Sequence, residues 1–131
     1  MTITKSQVEK VINLAQEANS FPKKSSLDAA EDLDKLINPV KDEEWHAQQA
    51  LKEYLLSLDY PQLIELAQLM FFGREWYNHR GNDDFFTSIE DYKNDCRSLA
   101  DEKVATDYLM GKKNLGAWLI EAIRHYNPDN K

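Results

Sequence analysis

The sequence is poor in helix-breaking residues and in cysteine. Its 131 residues include four glycines, four prolines and one cysteine. A single cysteine excludes an internal disulfide and fits a reducing compartment, so we expect a cytoplasmic protein. The first residues lack the apolar run of a signal peptide, and no stretch approaches the roughly 18 apolar residues of a membrane span. We therefore expect no membrane partner.

Basic charge is also scarce. The chain carries 16 Lys and Arg against 23 Asp and Glu, for a net charge of −7. Nucleic-acid binding needs clustered basic side chains to contact phosphates, so we expect no nucleic-acid partner. An acidic surface is typical of a solvated protein, and it leaves open an immunity-type or mimic protein that binds a basic partner.

Helical periodicity is what the sequence does contain. With 42% hydrophobic residues the chain has enough apolar surface for one core, and no run alternates as a strand would. We predict an all-α, compact single-domain bundle of about five or six helices. Residues 1–40 would form an N-terminal helical arm, 41–126 the core bundle and 127–131 a tail.

The apolar spacing and the capping signals set the predicted helix bounds. Thr4 and Gln7 have the spacing of a capping box, and Ile3 precedes them as a hydrophobic staple. Phe85 begins a stripe of apolar residues that continues to Leu99 at helical spacing. The predicted helices cover residues 4–18, 42–57, 61–72, 85–99, 104–110 and 115–126, with a further short acidic segment over 27–37 in the N-terminal arm.

The helix over 61–72 has the clearest boundaries. Asp59 is a predicted cap, Gln62 completes a capping box and Pro61 suits the first turn. Gly73 supplies the left-handed stop. Few residues between these signals are polar, so we expect this helix to be buried at the centre of the bundle.

A cluster of aromatic and basic residues follows Gly73 and is the candidate binding site: Arg74, Trp76, Tyr77, His79 and Arg80. In a functional interpretation Arg74 binds a carboxylate or phosphate, His79 transfers protons, and the aromatic side chains wall a pocket or anchor a partner. In a structural interpretation Arg74 pairs with Asp83 or Asp84 and the aromatic residues cover the core. The sequence leaves both open.

No complete catalytic or metal-binding set is present. Glu43 and His46 have the Glu-x-x-His spacing of a di-iron bundle, but that site needs two such motifs. Glu121 and His125 are four residues apart, which is a different spacing. Cys96 lies on an apolar stripe, which favours a buried thiol over a nucleophile. We predict no catalytic residue, no metal and no cofactor; this favours a protein that is not an enzyme and leaves an enzyme open as the alternative.

The second half of the chain resembles a small bacterial family, domain-of-unknown-function family 3775. The resemblance rests on the segments 63–74 (LIELAQLMFFGR), 106–111 (TDYLMG) and the amphipathic helix 115–123, and it spans roughly residues 51–123. It implies an all-helical domain whose leucine-rich helix closes on a Gly-Arg pair. It implies no activity, because the family has none assigned.

These observations favour a non-catalytic protein-interaction or accessory module acting through the aromatic residues after Gly73. An apolar patch left uncovered would also allow a homodimer. The alternative is a small-molecule-binding domain or small enzyme with Arg74, His79 and Arg80 in one pocket. The two differ in geometry, because only a pocket needs convergent polar groups over a cavity.

Overall fold

Helices form all of the regular structure that the computed structural model describes, which covers residues 1–20, 43–79 and 89–129. There are five α-helices in this part of the chain and two short 3₁₀ helices between the third and fourth. The α-helices are α1 (Lys5–Ala18), α2 (Glu43–Ser57), α3 (Tyr60–His79), α4 (Glu102–Met110) and α5 (Leu115–His125), and the 3₁₀ helices are Ile89–Tyr92 and Asn94–Cys96. The all-α prediction is confirmed. The predicted helix over 27–37 lies outside the described residues.

The N-terminus of α1 forms the predicted capping box. The Gln7 N–H donates to the Thr4 hydroxyl over 3.2 Å, and the Thr4 N–H donates to Gln7 Oε1 over 3.0 Å. Ile3 is fully buried, and α1 packs against both α2 and α5. Residues 1–18 therefore pack on the bundle, while the rest of the predicted arm, from residue 21 to 40, lies outside the described residues.

Helix α3 is the central element of the bundle, as predicted. Its most buried side chains, which include Leu63, Leu66, Leu69 and Met70, have no exposed surface. The helix packs against α4, α5 and both 3₁₀ helices. The boundary at its start is also partly as predicted, because the Asp59 N–H donates to Gln62 Oε1 over 3.0 Å.

No helix in the three described ranges is both long and apolar enough to cross a membrane.

The predicted end of this helix at Gly73 is wrong. Helix α3 continues through Gly73 to His79. The glycine is needed because α5 crosses there at very short range. A Cβ atom on Gly73 would lie 1.7 Å from the Trp118 carbonyl oxygen and 3.0 Å from the Ala122 nitrogen. The missing side chain of Gly73 thus allows α3 to pack closely against α5, and the residues after Gly73 remain helical.

The segment before α4 also differs from its prediction. The sequence predicts one α-helix over 85–99. In the described part of that range the structure has two 3₁₀ helices, and residues 80–88 are not among those described. The apolar positions Ile89, Tyr92, Cys96 and Leu99 are nevertheless buried. Spacings of three residues suit one face of a 3₁₀ helix as well as an α-helix, so the pattern finds the buried residues without fixing the helix type.

We predict that Gly73→Ala destabilises the protein, although alanine favours an α-helix over glycine by about 1 kcal/mol. The added methyl group meets backbone atoms of α5, which cannot rotate away, so we expect a loss of about 1–3 kcal/mol or more in the free energy of unfolding. The free energy of unfolding is measured by urea denaturation that is monitored by circular dichroism. Gly111→Ala is the control, because its added Cβ would have no neighbour nearer than 3.6 Å. A stabilised Gly73→Ala variant would contradict this packing.

Candidate functional site

The candidate residues after Gly73 lie on the last part of α3, not on a loop. Arg74, Trp76 and Tyr77 lie on the last turns of this helix, and His79 is its final residue. The His79 side chain and the whole of Arg80 lie outside the described structure. Their predicted part in the site therefore stays a prediction.

Arg74 is held between aromatic rings and a neighbouring carboxylate. Its Nε and Nη2 donate to Glu75 Oε1 over 3.2 and 3.1 Å. Its guanidinium carbon lies 4.9 Å from the centre of the Phe71 ring and 6.0 Å from that of Trp118. A guanidinium over aromatic faces gains a cation–π attraction while its edge remains hydrogen-bonded. The observed carboxylate partner is Glu75, and the predicted partners Asp83 and Asp84 are not among the described residues.

Trp76 connects α3 to the end of α5. Its ring centre lies 3.9 Å from that of His125, with an angle of 31° between the planes, and 5.9 Å from that of Phe72. Nε2 of His125 lies 3.3 Å from Glu121 Oε1, and Arg124 donates to the other oxygen of Glu121 over 3.3 Å. Trp76 is only partly buried, so this stack forms part of the surface.

Tyr77 is the most exposed of the three predicted site residues whose side chains the structure describes, Arg74, Trp76 and Tyr77. Its relative exposure is 45%, and the other large hydrophobic side chains with comparable exposure in the described structure are Leu56 and Val104. We call Arg74, Trp76, Tyr77 and His125 the aromatic patch. The sequence alone does not place His125 in this patch. The only signal was the four-residue spacing from Glu121, which is a contact within α5 and says nothing of Trp76.

The basic groups of the aromatic patch both have carboxylate partners. Its basic groups are each engaged by carboxylates of their own helix, Arg74 by Glu75 and His125 by Glu121. Within the described ranges no three His, Cys, Asp or Glu side chains come together to hold a metal ion.

Cys96 is buried, as predicted. Its side chain is 3% exposed, and its thiol is directed at the Ile64 carbonyl oxygen at 4.0 Å. Burial, with a further contribution from the negative charge of Asp95, raises the pKa of the Cys96 thiol to about 11. The thiolate is the nucleophilic form of cysteine, so a thiol with this pKa is inert near neutral pH.

We predict that iodoacetamide alkylates Cys96 slowly in the folded protein at pH 8. The raised pKa alone lowers the thiolate fraction about a hundredfold relative to an unfolded chain, and burial restricts access further. Mass spectrometry of the intact protein follows the reaction, with the same protein in denaturing urea as the reference. Equal rates in the two states would show that Cys96 is accessible and ionised in the fold.

Scans of family models, of curated proteins and of solved structures each found no match for this chain. The likeness to domain-of-unknown-function family 3775 therefore stays a prediction. What the fold and the patch define is a class: an all-α bundle with a partly exposed aromatic surface at the meeting of α3 and α5.

Proposed function

We propose that the protein is a non-catalytic protein-interaction or accessory module of the cytoplasm. The observation that supports this most is the aromatic patch, in which a tyrosine that is 45% exposed stands next to a tryptophan stacked on a histidine of another helix. Tyr, Trp and Arg are the residue types that most often dominate the binding energy of protein interfaces.

The rigidity of the patch also supports the proposal. Trp76 is held by Phe72 and His125, and Arg74 by Glu75 and two aromatic rings. Side chains that are already ordered lose little conformational freedom when a partner binds. A surface of this kind favours a protein partner, which is either a different protein or a second copy of this chain.

The alternative of a small enzyme or ligand-binding domain at Arg74, His79 and Arg80 has less support. A pocket for a small anion needs a guanidinium with free donors directed into a cavity. The Arg74 guanidinium lies over Phe71 and donates to Glu75. The second alternative, an acidic mimic protein, differs in its salt dependence, because charge-based binding weakens steeply with ionic strength.

We predict that Tyr77→Ala lowers recovery of a bound partner at least about fivefold, the effect of losing one interface contact of about 1 kcal/mol. Immobilised wild type, Tyr77→Ala and Leu56→Ala are compared in the same lysate, with quantitative mass spectrometry of the retained proteins. Leu56→Ala is the matched control, because Leu56 and Tyr77 are 44% and 45% exposed and lie on different helices.

Circular dichroism confirms that each variant is folded, and light scattering distinguishes a homodimer from a heterologous complex. Equal recovery by wild type and Tyr77→Ala, with no change in oligomeric state, would contradict a binding role for the patch. Retention that disappears in high salt but not in Tyr77→Ala would favour the acidic mimic.

A further inference from the structure

The ion pairs that flank the aromatic patch expose their basic members more than their acidic ones. The Arg124 side chain is 66% exposed, whereas that of Glu121, the carboxylate that it contacts, is 14% exposed. The side chains of Arg74 and Glu75 are 33% and 26% exposed. In both pairs the arginine is the more exposed partner, so a molecule that approaches the patch meets guanidinium groups before carboxylates.

Arg124 retains an unused hydrogen-bonding edge. Its Nη1 donates to Glu121 Oε2 over 3.3 Å, and its Nε and Nη2 make no hydrogen bond to any described residue. The same two atoms of Arg74 donate to Glu75. A guanidinium edge formed by these atoms can bind a carboxylate through two parallel hydrogen bonds. Arg124 can therefore bind a second carboxylate without releasing Glu121.

Lys112 adds a positive charge that is connected to the patch through two aromatic rings. Its Nζ lies 4.5 Å from the centre of the Tyr108 ring, and the Tyr108 ring centre lies 6.1 Å from that of Phe71 on α3. No described carboxylate lies within ion-pair distance of Lys112. The exposed residues Asp107 and Lys113 are close to it in the sequence, but they have opposite signs and do not change the balance.

The local charge is therefore opposite in sign to that of the whole chain, which is −7. We call Arg74, Lys112 and Arg124 the basic face. Among the described contacts two carboxylates, Glu75 and Glu121, accompany these three cations. Charges further apart than about 8 Å are largely screened at physiological ionic strength, so the groups at the contact decide which partner is attracted. The basic face therefore favours a negatively charged partner.

We propose that the partner of the aromatic patch presents an acidic peptide segment. Its carboxylates bind Arg124 and Lys112, and its apolar side chains pack on Trp76 and on Tyr77, which is 45% exposed. This inference rests on the function proposed above and names the chemistry of the partner. It is the opposite of the acidic mimic, which would bind a basic partner.

Three matched peptides test the proposal: GEFELEG, GQFQLQG and GKFKLKG, each acetylated and amidated at its ends. They share their apolar side chains and differ in the charge between them. Chemical shifts in nuclear magnetic resonance spectra of the full chain report the affinity and the place of binding, through the Trp76 indole N–H and the amides of Tyr77 and Arg124. We expect the acidic peptide to bind with a dissociation constant on the order of 1 mM, the glutamine peptide at least about threefold more weakly, and the lysine peptide not at the patch.

Three variants separate the charge from the aromatic contact. Arg124→Gln removes an exposed charge, so it should weaken binding of the acidic peptide about two- to fivefold and leave the glutamine peptide unchanged. Arg97→Gln is the matched control and should bind like wild type, because Arg97 is also exposed and lies at the end of the second 3₁₀ helix, outside the patch. Tyr77→Ala should weaken the acidic and the glutamine peptides alike.

Equal binding of the acidic and glutamine peptides at the patch, with both weakened in Tyr77→Ala, would overturn the acidic partner and leave the proposed function standing. Equal binding of the acidic peptide by Arg124→Gln and Arg97→Gln would also overturn it. So would acidic-peptide shifts confined to residues outside the patch, or no binding well above about 1 mM. The proposed function fails separately, when Tyr77→Ala recovers the same proteins from a lysate as wild type.

Discussion

The close crossing of α3 and α5 at Gly73 is the contact on which the arrangement of this protein depends. The Gly73 Cα lies against the backbone of the Trp118–Ala122 turn, closer than any side chain would permit. A second glycine acts on the other side of α5, where a Cβ on Gly116 would lie 2.9 Å from Gln16 Cγ of α1. Helix α5 is thus held between α1 and α3 through two positions that lack side chains. Such short separations increase the dispersion contacts between the neighbouring atoms.

The candidate functional surface follows from that crossing. Because α3 does not end at Gly73, its last turns run beside the end of α5, and Trp76 stacks on His125. The same continuation places Arg74 over Phe71 and near Trp118. If the chain left the helix at Gly73, these side chains would have no fixed partners. The crossing therefore orders the aromatic patch.

Local sequence signals predicted the fold class and most helix bounds, because periodicity and capping depend on residues within one or two turns. The Thr4 capping box and the buried faces of α1 and α3 are examples. The role of Gly73 could not be predicted in the same way. A glycine after an apolar helix fits a left-handed stop as well as a helix crossing, and the partner that decides between them lies far along the chain. The 3₁₀ segments were missed because their apolar spacing fits two helix types.

The candidate site was predictable only where its residues are neighbours in the sequence. Arg74, Trp76 and Tyr77 were identified because chemically capable side chains are concentrated there in the sequence. His125 was not, because its place beside Trp76 depends on a contact between distant segments. Long-range packing leaves no local pattern in the sequence. The helix crossing at Gly73 and the stacking of His125 on Trp76 are therefore visible only in the structure.

Nuclear magnetic resonance of the intact protein tests the central contact most directly. The account predicts helical carbon chemical shifts without interruption from Leu69 to Tyr77. It also predicts nuclear Overhauser effects between the Gly73 α-protons and the amide and methyl protons of Ala122. Helical shifts that stop at Gly73, or an absence of effects between Gly73 and α5, would contradict it.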